Sequence, residues 1–191
     1  MKKTFDVRSL TGVGILTAVV IALQLFSNYV PLFGISPTWA LVPIVVGGAL
    51  YGVWAGAWLG LVMSVVVLFA PSTIAVFFPV NIVATIVITI LKGTLAGTVA
   101  AVIFHLLKGK SIFWAAFLAA IACPIVNTAV FSIGANWFFR SIWGVSGETS
   151  AFAFWGVLFG IIWINFVSEI VISVVLSPTI VQIIRLGKKG R

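Results

Sequence analysis

Six polar side chains interrupt long apolar runs of this chain: Asn81, Thr85, Lys92, Asn127, Asn165 and Glu169. A charged or amide group inside hydrocarbon costs a few kcal/mol, so each is a functional candidate by default. The types suit recognition. An ammonium takes an anion, and side-chain amides offer both donors and acceptors. They do not suit bond breaking. No intramembrane Ser–His or paired-aspartate arrangement supports hydrolysis, and no His/Cys/Asp/Glu cluster has metal-ligand spacing. No Walker motif is present, so the chain is not expected to hydrolyse ATP itself. We expect a binding protein rather than an enzyme, without cofactor or metal.

Spacing sorts the six into stripes. Asn81, Thr85 and Lys92 are separated by four and seven residues and share one helical face. Asn165, Glu169 and Ser173 are separated by four and four and share another.

The elements that must position them are transmembrane helices. The chain has 191 residues, 62% hydrophobic and only 7% charged, with a mean hydropathy of +1.30. Apolar runs of membrane-crossing length recur and do not alternate, which excludes a β-barrel. The expected fold class is an all-α integral membrane protein, a single domain of six transmembrane helices over 1–191. The approximate spans are 10–29, 39–52, 54–69, 80–107, 111–135 and 154–184. The second is short, and tilted or partly re-entrant. The second and third are joined by a tight glycine-rich turn. Lys2 and Lys3 precede a run too long for a signal peptide and without a clear cleavage site, so the first helix is expected to stay uncleaved.

The net charge of +8 does not indicate nucleic acid. Lys2, Lys3 and Arg8, then Lys108 and Lys110, then Lys188, Lys189 and Arg191 form three clusters, with Arg185 beside the last. Six spans put all three clusters on one side, which the positive-inside rule makes cytoplasmic. Both termini are then cytoplasmic. The loops carrying Pro31, Pro37, Pro71, Pro79, Arg140 and Glu148 face outward, either as an interfacial aromatic belt or as a lid over an outward-facing site. The lone Cys123 lies in an apolar run and cannot form an intramolecular disulfide.

Depth follows from the same spans. Lys92 lies about 12 residues, roughly 18 Å, below the outer end of its helix, Asn165 and Glu169 about 11 and 15 residues below theirs, and Asn127 about 9. The polar groups therefore gather between the outer mouth and mid-membrane. Two accounts remain open: a structural Lys92–Glu169 ion pair, or a site for a water-soluble anion with several hydrogen-bonding groups. Both roles can coexist. A channel would continue its polarity to the inner side, and here polarity stops near Glu169. Gln24 either lines the site or packs against a neighbour. His105, near the inner end of the fourth helix, reads as an interfacial or capping residue. In the first helix Gly14, Ala18 and Ala22, four apart, make a strip of small residues that permits close helix approach, within the chain or onto another membrane subunit.

Four segments together resemble one family. They are the "AVVIA" strip with Ala18 and Ala22, "PVNIVATIVITILKGTLAG" in the fourth helix, "VNTAVF" in the fifth and "NFVSEIVISVVLSPTIV" in the sixth. Over nearly the whole chain the pattern is similar to the S components of energy-coupling-factor (ECF) vitamin transporters. The resemblance implies a six-helix subunit that captures a vitamin at the outer face of the cell membrane. It implies delivery inward with a transmembrane scaffold subunit and two ATPase subunits. Ala18 and Ala22 would carry the scaffold contact, and the vitamin would sit under the loop around Phe33 to Trp39 and the "PSTIAVFFP" loop. The pantothenate-type branch is the nearest. Its carboxylate, hydroxyls and amide suit Lys92 with Asn81, Asn127 and Asn165. Pyridoxine-, hydroxymethylpyrimidine- and riboflavin-type members are the alternatives. The fourth-helix basic residue is Lys where Arg is expected in many relatives, and Lys cannot hold a carboxylate bidentately.

Overall fold

The computed structural model describes residues 7–30, 38–139 and 151–189. The segments 31–37 and 140–150, which include Pro31, Phe33, Pro37, Arg140 and Glu148, lie outside the described residues, as do Lys2, Lys3 and Arg191. The described residues are helical throughout their regular structure: α1 (Val7–Tyr29), α2 (Leu41–Tyr51), α3 (Val53–Leu68), a π-helical turn (Thr73–Phe77), α4 (Ile82–Leu107), α5 (Ile112–Phe138) and α6 (Ala151–Lys189). Among the described residues, four segments are long and apolar enough to cross a membrane: Ser9–Tyr29, Ile82–Leu107, Ile112–Phe138 and Trp163–Leu186. The two shorter apolar helices are α2 and α3. At 1.5 Å per residue α2 reaches only about 16 Å and cannot cross a core of about 30 Å. Its surroundings fit that. Leu41, Ile44, Val45, Val46 and Ala49 are all buried, and α2 packs against every other helix of the bundle.

The α2–α3 connection is a single residue. Gly52 adopts φ 102° and ψ 176°, a conformation that side chains with a Cβ rarely tolerate. Its N–H closes α2 on the Gly48 carbonyl, and its own carbonyl opens α3 by accepting from Ala55 and Gly56. Gly48 lies against Gly56, and Gly47 against Leu59, so the two helices fold back on one another.

The seam between α3 and α4 is closer still. A Cβ on Gly56 would strike the Gly97 carbonyl, and one on Gly97 would strike that of Gly56; Gly60 and Gly93 face each other in the same way. Two small-xxx-small motifs therefore meet backbone to backbone, the packing available to helices in lipid. The glycines beside Lys92 thus serve a helix contact with α3.

The contacts also fix direction. Tyr51 packs on Gly12, Trp58 Nε1 donates to Thr17 Oγ1 at 3.2 Å, and Asn28 Nδ2 donates to the Val66 carbonyl at 3.2 Å. So α3 runs parallel to α1 and antiparallel to α2. Ile88 fills the space at Gly134 and sets α5 antiparallel to α4. The surface that would meet lipid carries exposed Ile15, Val19, Val87, Leu95, Leu118, Ile133 and Val175. In water that surface would be an aggregation liability, and in a bilayer it is the expected exterior.

Candidate functional site

Lys92 sits in the middle of α4, where the helix turns half toward the bundle. Its Nζ lies 5.1 Å from the centroid of the Phe131 ring on α5, within cation–π range. Phe131 meets Phe77 of the π-helical turn edge-on at 5.7 Å, and Phe77 meets Phe139 at 5.1 Å. This aromatic group, packed with Ala84, Ile88 and Ala135, lies between the ammonium and the loop end of α4. Irregular π geometry beside a site is common where a helix must re-aim a side chain.

Glu169 on α6 is buried. The Thr38 backbone N–H donates to its Oε1 at 3.1 Å. The neighbouring Trp39 N–H donates to Ser27 Oγ of α1 at 3.3 Å. Two backbone donors just before α2, which its own turns cannot satisfy, are thus taken by side chains of α6 and α1. Negative charge at this end also complements the α2 dipole. Lys92 and Glu169 attract one another, but among the described residues they do not form a direct ion pair. Lys92 leans on an aromatic face, and Glu169 on backbone.

Asn127 lies one turn along α5 from Phe131, with 7% exposure. Its Oδ1 is buried and accepts no hydrogen bond. Leaving such an acceptor unmet costs about 1–3 kcal/mol. Asn165 lies one turn before Glu169 on α6 and is half-buried; its backbone carbonyl accepts from Ser168 Oγ at 2.7 Å.

The other two members of the fourth-helix stripe have local partners. Asn81 is the N-cap of α4, in extended conformation, and its Oδ1 accepts from the Ala84 N–H at 2.9 Å. It is exposed. Thr85 is buried, and its hydroxyl reaches the Asn81 carbonyl at 2.7 Å and the Phe77 carbonyl at 3.2 Å. The structure therefore gathers Lys92, Asn127 and Glu169 from α4, α5 and α6, and gives Asn81 and Thr85 the work of starting α4. Sequence reasoning did not single out Phe131, Phe77, Phe139 or Thr38. An aromatic four residues from a buried Asn was a usable signal for Phe131. Thr38 lies at the end of the loop around Phe33 to Trp39, but its residue type did not foretell the backbone N–H it gives to Glu169.

A common depth scale follows from the helix contacts. Gly60 faces Gly93, so Lys92 lies level with Leu61. Gly134 faces Ile88, so Asn127 lies about 5 Å further along the bundle than Lys92. Thr38 and Trp39 stand by Ser27 and Asn28, and Asn28 is level with Val66. The Glu169 carboxylate meets this stretch at Thr38, and these groups form one polar band.

At the other end of α4, His105 Nε2 contacts the Gly48 carbonyl at 3.0 Å and Lys108 Nζ contacts its Nδ1 at 2.8 Å. This ring ties α4 to α2 and lies away from the band. On α1 the inward face is Val20, Gln24 and Ser27. Gly14, Ala18 and Ala22 fall on the opposite, exposed face, and a Cβ on Gly14 would meet nothing within 4 Å. Among the described residues, none packs over the small-residue strip at Gly14, Ala18 and Ala22 closely enough to bury it.

No curated protein and no solved structure matches this chain significantly. The family described as "ECF transporter, substrate-specific component" matches residues 8–181. With nearly the whole chain covered, an all-helical bundle and its long apolar spans, this multi-pass membrane protein belongs to the family of substrate-specific components of ECF transporters.

Proposed function

We propose that this chain captures a small, water-soluble, anionic vitamin, with pantothenate the favoured substrate. It does so at the outer face of the cell membrane and passes the vitamin inward together with a transmembrane scaffold subunit and two ATPase subunits. Both termini are cytoplasmic, because Arg8, Lys108, Lys110 and Arg185 then fall on the inner side. One observation carries the substrate chemistry. Lys92 holds its ammonium against the Phe131 ring, while the nearby carboxylate of Glu169 is engaged by Thr38. A cation in that position favours a ligand carboxylate over solvent, and a low local dielectric strengthens the attraction. Asn127 adds an acceptor for a ligand hydroxyl or amide N–H, and Asn165 a further amide. Asn81 and Thr85 support this site indirectly, by fixing the start of α4.

The exposed strip Gly14, Ala18 and Ala22 supports a scaffold contact on α1. In a bilayer it offers close backbone approach to another helix, at little cost in side-chain order. The energy for transport comes from ATP hydrolysis by the partner subunits.

The test is to purify the protein in detergent and identify any small molecule carried with it by mass spectrometry. A carboxylate-bearing vitamin, with pantothenate foremost, is the expected result. A protein that carries none, and binds none of a vitamin panel at micromolar concentration, overturns the proposal.

A further inference from the structure

Gln24 lies on the inward face of α1 and is 3% exposed. The orientation of its amide is fixed by a relay. The Val66 carbonyl only accepts, so Asn28 must present Nδ2 to it, at 3.2 Å. That leaves Asn28 Oδ1 as an acceptor, and Gln24 Nε2 donates to it at 2.8 Å. Gln24 therefore holds its Oε1 away from the relay, and this oxygen is buried without a hydrogen-bond partner among the described residues. Reversing the amide would set donor against donor at Asn28, so the atom that Gln24 turns away from the relay is its oxygen, an acceptor.

Its depth is that of the site. Asn28 is level with Val66, which puts Gln24, one turn back, level with Val62. Lys92 is level with Leu61 through the Gly60–Gly93 contact. Aligned on Asn28–Val66 or on Thr17–Trp58, Gln24 stands within about 6 Å of the Lys92 level along the bundle axis. Ser27, three residues from Gln24, and Glu169 hold the adjacent N–H groups of Trp39 and Thr38. The inward face of α1 and the polar face of α6 thus meet at one short stretch of backbone.

We propose that Gln24 is a specificity-determining residue of the substrate site, its Oε1 accepting a hydrogen bond from a hydroxyl or amide N–H of the anionic substrate. With Asn127 Oδ1, it sets the substrate class as a carboxylate carrying at least two hydrogen-bond donors. This inference rests on the vitamin-binding function proposed above. A site built around buried acceptors discriminates strongly against analogues that lack the matching donor, because the acceptor is then left unpaired.

The test compares equilibrium binding of pantothenate, pyridoxine, hydroxymethylpyrimidine and riboflavin to purified wild type and Gln24→Met in detergent, with the melting temperature of each unliganded protein. The expected result is that pantothenate, the one carboxylate of the four, binds the wild type tightly and binds Gln24→Met at least tenfold more weakly, while the unliganded variant still melts cooperatively; tight binding of one of the other three alone overturns the inference. Equal affinity for both proteins overturns the role of Gln24 and leaves vitamin binding intact. Wild type that binds none of the four overturns vitamin binding and the role of Gln24 with it. A second measurement needs no variant: each hydroxyl and N–H of the bound vitamin is replaced in turn, using wild type. At least two replacements must weaken binding tenfold, and a ligand whose donors can all be removed without loss overturns the inference.

Discussion

The Thr38 backbone N–H donates to Glu169 Oε1 at 3.1 Å, joining the residues just before α2 to the middle of α6 across 131 positions of sequence. Glu169 is thereby a staple of the bundle as well as a charge near Lys92. Glu169→Ala leaves a buried backbone donor without an acceptor and should destabilise the unliganded protein by about 1–3 kcal/mol. Glu169→Gln keeps an oxygen for Thr38 and should retain most of that stability. Thermal unfolding of the three proteins in detergent checks the order.

Removing Lys92 should have the opposite sign. Its ammonium rests on an aromatic ring and has no direct carboxylate partner among the described residues. Lys92→Met relieves a buried charge, and the unliganded melting temperature should stay level or rise. A direct ion pair with Glu169 would instead make the loss of either partner strongly destabilising, by about 3–5 kcal/mol.

Asn127 separates binding from stability in the same way. Its Oδ1 is buried and unmatched, so Asn127→Leu should stabilise the empty protein while weakening substrate binding about tenfold or more. Melting temperature and equilibrium affinity, measured on the same preparation, should move in opposite senses.

The α3–α4 seam admits no added atoms. Gly97→Val would drive a side chain into the Gly56 carbonyl and should abolish a folded product, since neither backbone can retreat without losing the rest of the contact. Gly14→Ala meets open space inside α1 and should leave stability level or raise it by up to about 1 kcal/mol. Size-exclusion profiles and thermal unfolding of the two variants read the contrast.

The exposed face of α1 is tested by Ala18→Trp. The residue is exposed, so the isolated subunit should fold and bind substrate as wild type does. Uptake by the complete transporter should be lost, because a bulky ring blocks the close approach proposed for the scaffold helix. Loss of binding by the isolated subunit would place the strip in internal packing.

Much of this was legible in the sequence, and the limits have physical causes. Apolar run length shows where α1, α4, α5 and the membrane-crossing part of α6 lie, and helical phase puts Glu169 and Ser173 on one buried face. The close approach of α3 at Gly93 and Gly97 was not legible, because only the partner's backbone could show it. Asn81 shares a phase with Lys92, and that stripe concealed a second meaning: Asn just ahead of an apolar helix is also an N-cap. The Thr38–Glu169 bond was not legible, because a backbone donor has no residue-type signature. The orientation of Gln24 was not legible either, since it depends on a carbonyl of α3 far along the chain. Spacing alone left Lys92 with two anions to choose between, and it could not show that Glu169 accepts from the Thr38 backbone.

The most direct measurement is the equilibrium affinity of pantothenate for purified wild type and Lys92→Met, with unfolding curves confirming that both are folded. The account predicts tight binding by wild type and a loss of about ten- to a hundredfold in Lys92→Met, the range for a buried hydrogen bond to a charged group. Undiminished affinity in the folded Lys92→Met protein would contradict it.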